Sequence, residues 1–232
     1  MSPLTQRVIT AAVLVPLVLW GILVLPTRYF ALLFAAFTTL GAWEWSALAG
    51  RAAPRQRALY LLAFVLGLAL AYYLSQADWG LYLILGLGLL WWLQAVVLVW
   101  RHQTRGQWPP ASSVWRGGAG WLVLIPSWAA LVSLHGNPDR GPYLVVLLLA
   151  LVWCADIAAF FAGRRWGRHR LASRVSPGKS WEGVGGALAA VALLAAVNVL
   201  AQRRVFYSAL SLVVCLTALS GVYLLLDSPF IA

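Results

Sequence analysis

Pro142-Tyr-Leu-Val-Val-Leu-Leu-Leu-Ala-Leu-Val-Trp-Cys-Ala-Asp156-Ile-Ala-Ala-Phe-Phe-Ala162 is an apolar run that holds a single charge, Asp156. A helix of about 20 apolar residues, rising 1.5 Å per residue, crosses a hydrocarbon core about 30 Å thick. This stretch therefore reads as a transmembrane helix. Working outward from it, similar runs bounded by charge, Pro or Gly fall at residues 8–25, 29–49, 58–75, 79–99, 118–134, 183–200 and 205–226. The whole chain of 232 residues is 62% hydrophobic and only 10% charged, with a mean hydropathy of +0.84. Soluble domains carry about a quarter charged residues, so water is not the main solvent of this chain. The sequence predicts an all-α, polytopic integral membrane protein of about eight transmembrane helices, in a single membrane domain over residues 1–232.

The formal charge of +11 comes from 17 basic residues against 6 acidic ones. In a soluble protein that balance would suggest nucleic acid, but here no soluble surface is available for one. Basic residues collect in cytoplasmic loops, and with a cytoplasmic N-terminus the inner loops hold Arg7, Arg51, Arg55, Arg57, Arg101, Arg105, Arg116, Arg164, Arg165, Arg168, Arg170, Arg174 and Lys179. The outer loops keep only Arg28, Arg140, Arg203 and Arg204. That asymmetry places both termini, and the loop at residues 163–182, on the cytoplasmic side. Cys154 and Cys215 both lie inside apolar runs, which excludes a disulfide framework and a paired-cysteine metal site. The first apolar run ends Leu25-Pro26-Thr27-Arg28, without a small-residue cleavage site, and reads as a retained span. Tryptophans toward the helix ends, such as Trp43, Trp45 and Trp181, suit the headgroup level. No fixed-period repeat and no inverted repeat speaks for a transporter.

With six acids in the chain, each is informative about depth. Asp78 and Asp139 fall in outer loops, where a carboxylate is solvated. Glu44 and Asp156 are submerged in predicted spans near their inner ends, where a carboxylate costs about 2.5 to 3.5 kcal/mol and faces protein or a watery cavity. Glu44 has two readings, an internal ion pair with an inner-loop arginine or a functional role. Asp156 reads as functional, because the basic loop follows it directly. Glu182 opens the seventh span and Asp227 closes the eighth.

The loop ends in Ser176-Pro177-Gly178-Lys179-Ser180-Trp181-Glu182-Gly183, which contains the only lysine in a chain of sixteen arginines. A compact, flexible ammonium is wanted there for a reason that arginine does not serve. Gly178-Lys179-Ser180 matches the tail of a P-loop, but the required first glycine falls at Ser173 and no strand is predicted before it. What remains is a Pro-Gly turn feeding a helix start, with hydroxyls and an ammonium beside free backbone amides. That is a phosphate site on physical grounds. A topology signal and a patch for anionic lipid are the blander readings of the same loop.

Through Trp153-Cys154-Ala155-Asp156, Phe160-Phe161-Ala162-Gly163-Arg164-Arg165-Trp166-Gly167-Arg168-His169 and Ser176 to Gly183, the chain resembles the phosphatidate cytidylyltransferases, or CDP-diacylglycerol synthases. Arg7-Val8-Ile9-Thr10-Ala11 and Ala42-Trp43-Glu44-Trp45 extend the likeness toward the N-terminus. The family condenses CTP with phosphatidic acid, using Mg²⁺, to give CDP-diacylglycerol and pyrophosphate. The resemblance implies a multi-pass protein of the cell's inner (plasma) membrane, with its active face cytoplasmic; a homodimer is compatible with it, and the membrane composition itself argues against a nucleic acid partner. By position it implies Lys179, Asp156 and Asp227 as catalytic residues. It further implies Ser176, Lys179, Ser180 and Arg174 as phosphate contacts, and Asp227, Asp156 and Glu182 as metal ligands.

Family members continue past the last aligned span with a Gly-Asp pair, a Lys-Arg segment and a Gly-His-Gly-Gly signature. This chain ends Leu224-Leu225-Leu226-Asp227-Ser228-Pro229-Phe230-Ile231-Ala232, with Asp227 where the aspartate of the Gly-Asp pair is expected. The alternative expectation that follows is a shortened, catalytically inactive homologue that holds anionic lipid at its basic loops.

Overall fold

The structure is a computed structural model, and it describes residues 3–106 and 112–201. These form α1 (Pro3–Val24), α2 (Thr27–Leu48), α3 (Pro54–Leu74), α4 (Asp78–Arg105), α5 (Ser113–His135), α6 (Gly141–Trp166), a short hairpin of β1 (Arg170–Ala172) and β2 (Ser176–Ser180), and α7 (Trp181–Ala201). Among the described residues, six stretches are long and apolar enough to cross a membrane: Thr27–Leu48, Pro54–Leu74, Asp78–Arg105, Val114–His135, Gly141–Trp166 and Trp181–Asn198. In α1 the apolar part is the shorter Ala12–Val24. The protein is thus an all-α polytopic membrane protein. The predicted eighth span, with Cys215 and Asp227, lies outside the described residues.

Helix ends follow local chemistry. Pro54 opens α3 at a position where its missing N–H has no helical partner, after Ala53 in an extended conformation. Ser112 caps α5 by accepting from the Trp115 N–H at 3.1 Å. Gly50, between α2 and α3, has φ of 80°, a left-handed turn conformation that a side chain would strain. Pro16 and Pro126 each lie inside a helix, as membrane helices tolerate.

The described residues divide into two compact units. The first takes residues 3–100 and 112–146 of those described. Its core is Tyr60, Phe64, Leu68 and Ile84 from α3 and α4, with Trp128 of α5 and the alanines Ala31, Ala42, Ala71 and Ala129. Lipid tails are as apolar as leucine, so burial alone does not hold these helices together; close packing and interhelical hydrogen bonds do. The Trp128 indole donates to the Ala31 carbonyl at 3.0 Å, and the Tyr60 hydroxyl to that of Gly117 at 3.0 Å. Buried His135 stacks on Phe30 at 4.1 Å and lies between Thr27 Oγ1 at 3.0 Å and the Ile22 carbonyl at 2.8 Å. Such bonds average about 0.6 kcal/mol each in membrane proteins, so the aromatic and alanine packing carries most of the association. Outward-facing side chains are large and apolar, among them Leu32, Leu66 and Leu90.

The second unit takes residues 101–106 and 147–201 of those described. It contains most of α6, the hairpin and α7, and all the chemistry-bearing residues of the 163–182 segment.

Candidate functional site

Helix α6 does not stop at Ala162, where its apolar run ends, but continues to Trp166. Arg164 and Arg165 form its last turn, where positive charge faces the negative end of the helix dipole. The chain then turns back as an antiparallel hairpin, with Arg170 opposite Ser180 and Ala172 opposite Ser176. The Pro-Gly segment expected as a turn is therefore strand β2. Between those two pairs, Leu171 on one strand faces Pro177, Gly178 and Lys179 on the other, a bulge that breaks the register. A bulge accommodates Pro177, which has no N–H to give the ladder, and re-aims the side chains beside it. The Arg170 guanidinium bonds the Pro177 carbonyl at 2.6 Å and ties the bulge across the hairpin.

The hairpin is fastened to the start of α7. Ser180 is buried, and its Oγ accepts the Gly183 N–H at 3.2 Å as the helix cap. The Trp181 N–H donates to the His169 carbonyl at 3.0 Å. Glu182, in the first turn of α7, accepts the backbone N–H of His169 at 3.1 Å and the ring Nδ1–H at 2.9 Å. A carboxylate there also complements the positive helix start.

Beneath the hairpin, α6 and α7 meet through small residues. A Cβ on Gly183 would lie 3.0 Å from the Ala159 carbonyl, and one on Gly186 would lie 2.5 Å from Ala162 Cβ. This is the small-residue contact that lets membrane helices approach closely. A cleft of about 1110 Å³ opens along α6, the hairpin and α7. Asp156, Arg164, Arg170, Ser176, Lys179 and Ser180 supply its polar lining. Phe160, Phe161, Leu188 and Val191 supply an apolar wall. Lys179 Nζ stands 4.0 Å from Asp156 Oδ1, and the two side chains are 62% and 80% exposed, free to meet a ligand.

The structure thus brings Asp156, Ser176, Lys179 and Ser180 to one cleft. Glu182 is not in the lining; its oxygens are taken up by His169. Arg174 sits at the hairpin tip, where its N–H bonds Gln103 Oε1 at 3.0 Å. Asp227 lies outside the described residues. Glu44 is exposed on α2 in the first unit, and neither ion pair described, His169–Glu182 or Lys179–Asp156, includes it. Two cleft residues escaped the sequence reading as site residues, Arg164 and Arg170. The signal for Arg164 was present: Asp156, Phe160 and Arg164 recur every four residues and so share a helix face.

Among the described residues no three His, Cys, Asp or Glu side chains converge as metal ligands. Mg²⁺ does not require such a cage, because it keeps several waters and takes one or two carboxylates together with substrate phosphates. Asp156, exposed in the cleft, fits that arrangement; Glu182 is bonded to His169 and is not part of the cleft lining.

The chain matches the sequence model of the cytidylyltransferase family over residues 5–224. It is 43% identical over 188 residues to the phosphatidate cytidylyltransferase of Pseudomonas aeruginosa, covering 80% of this chain and 67% of that protein. With the phosphatidate cytidylyltransferase of Haemophilus influenzae it shares 33% identity over 207 residues, covering 83% of this chain and 71% of the relative. The Brucella suis protein of the same name is 37% identical over 193 residues, or 83% and 66% of the two chains. The chain spans about two thirds of the length of these relatives. No solved structure matches it.

Proposed function

This chain belongs to the cytidylyltransferase family, and from that premise we propose that it transfers the cytidylyl group of CTP to phosphatidic acid, giving CDP-diacylglycerol and pyrophosphate. The observation that carries the reading is the cleft itself, in which one carboxylate, a lysine and two arginines face an apolar wall. Phosphatidic acid has that same division, an anionic head on acyl chains. A phosphate oxygen of the lipid attacks the α-phosphorus of CTP, and the bond from that phosphorus to the oxygen bridging to the β-phosphate breaks. Pyrophosphate carries the electron pair away. Both reacting groups are anions, so the protein's task is to hold them together and to oppose their charge. Lys179, Arg164 and Arg170 supply positive charge on the phosphates, and the Ser176 hydroxyl is placed to donate a hydrogen bond. Asp156 would hold Mg²⁺ with the substrate phosphates, and the ion would supply further charge neutralisation there.

Turnover of radiolabelled CTP into chloroform-extractable lipid tests this reading. Phosphatidic acid is the expected acceptor, and Asp156→Asn is expected to lower turnover roughly 10²-fold, the scale of losing one charge-organising group. Labelled lipid formed equally well from diacylglycerol would overturn the assignment of the acceptor, and an unimpaired Asp156→Asn would remove that residue from the chemistry. The inactive-homologue alternative finds no support in these relatives.

The same reading places the cleft on the cytoplasmic face of the inner membrane, supported by the charge asymmetry of the loops. Ser173, exposed in the hairpin turn, is the reporter. Ser173→Cys is expected to resist a membrane-impermeant thiol reagent in intact cells and to react once the membrane is opened. Labelling from outside would reverse the orientation.

A further inference from the structure

A second recess lies in the first unit, and none of the cleft residues lines it. It has a volume of about 490 Å³ and runs between α2 and α3, with Trp128 of α5 at its wall. Arg28 stands at one end beside Tyr72, and Thr39 and Val65 lie toward the other. Between them the alanines Ala31, Ala35, Ala36 and Ala69 share the lining with Leu32 and Leu68, and Ala36 and Ala69 are exposed. The recess exists because alanines stand where leucines would fill it.

Its wall offers little to a polar ligand. The Thr39 hydroxyl is bonded to the Ala35 carbonyl at 2.7 Å and the Trp128 indole N–H to that of Ala31 at 3.0 Å, which leaves the Tyr72 hydroxyl, at the Arg28 end, as the other uncharged polar side-chain group of the lining. Charge enters only at the Arg28 end, where the guanidinium lies over the Tyr29 ring at 4.8 Å. The nearby turn after α5 carries Asp139 and Arg140, one acid and one base, and adds no net charge. From Arg28 to Thr39 is eleven helical residues, or roughly 16 Å, against about 15 Å for half the hydrocarbon core of a bilayer. The groove is one leaflet deep, with a cation at the headgroup level and an apolar floor.

The geometry points to a binding site for an anionic glycerophospholipid, with its phosphate at Arg28 and one acyl chain along α2 and α3 past Ala36 and Ala69. An arginine fork suits a phosphate bidentately. It selects a net anionic head over a zwitterionic one, whose own ammonium competes for the phosphate. The site is independent of the cleft and of the reaction proposed there.

The test uses the intact protein, stripped of lipid in detergent, re-supplied with palmitoyl-oleoyl phosphatidylglycerol or palmitoyl-oleoyl phosphatidylcholine, and weighed by native mass spectrometry. The wild type is expected to retain phosphatidylglycerol in preference by about fivefold, the scale of one arginine at an anionic surface. Ala36→Trp fills the groove and is expected to abolish retention of either lipid. Arg28→Gln, at an exposed position, should keep the bound lipid and lose the preference, which tests the site even if the tryptophan variant fails to fold. Equal retention of the two lipids by the wild type overturns the proposal, as does undiminished retention by a folded Ala36→Trp. A dimer that Ala36→Trp dissociates, with no lipid retained by the wild type, would give the groove to a second copy of the chain instead.

Discussion

Lys179→Met is expected to reduce kcat/KM for CTP by about 10² to 10³-fold, the range seen when one preorganised charge donor is removed from a transition state. Thermal stability should barely change. The ammonium is 62% exposed and its only ion-pair contact described is Asp156 Oδ1 at 4.0 Å, with that carboxylate 80% exposed. Exposed pairs of this kind contribute about 0 to 1 kcal/mol to folding. A large kinetic loss with an unmoved melting temperature therefore separates phosphate binding from a structural role. Lys179→Arg keeps the charge but replaces a compact, rotatable group by a planar fork. It is expected to recover only part of the activity, about a tenfold deficit remaining. If both variants turn over like the wild type, the hairpin lysine serves as a topology signal and the phosphates lie elsewhere.

Gly186→Leu is expected to destroy the site without any change to its polar residues. A Cβ at that position would lie 2.5 Å from Ala162 Cβ and 3.0 Å from the Ala158 carbonyl, and the backbone of α6 cannot yield as a flexible side chain would. Overpacking a close contact costs about 1 to 3 kcal/mol, and here it must also separate the two helices that line the cleft. The expected outcome is a lowered melting temperature together with loss of CTP turnover, and Gly186→Ala should show the same effects in milder form. Gly86 in α4 is the control, because a Cβ there meets nothing within 4 Å. Gly86→Leu should leave both measurements near wild type. A Gly186→Leu protein as stable and active as the control would mean that α6 and α7 do not depend on this contact.

The membrane fold was legible because apolar length is a nearly sufficient signal for a spanning helix. Each of the first seven predicted spans coincides with a helix, displaced by a few residues at its ends. The displacements have causes. Helix α4 runs on to Arg105 and α6 to Trp166 because a helix does not stop where hydrophobicity does, and arginines favour its last turn. The hairpin was not legible. Pro177-Gly178 signals a turn by local preference, and only the pairing with Arg170 and Ala172 makes β2 a bulged strand. Lys179 stood out in sequence by being the sole lysine, whereas Arg164 and Arg170 were hidden among sixteen arginines. Ser180 was recognisable as a hydroxyl near a helix start, but its burial and its bond to the Gly183 N–H depend on the fold. Glu182 and His169 are thirteen residues apart, and nothing local announces that they meet.

The fastening of the hairpin has a consequence for the entropy of substrate capture. A fourteen-residue excursion between two membrane helices, residues 167–180, would ordinarily sample many shapes, and ordering it around a nucleotide would subtract from binding, at roughly 1 to 2 kcal/mol for each residue whose backbone is fixed. The strand pairing, the Arg170 strut to the Pro177 carbonyl and the Glu182 grip on His169 impose that order when the chain folds. Ser176 and Lys179 then wait in place on a rigid platform, and the attraction between phosphates and ammonium goes into affinity and catalysis instead of into shaping a loop.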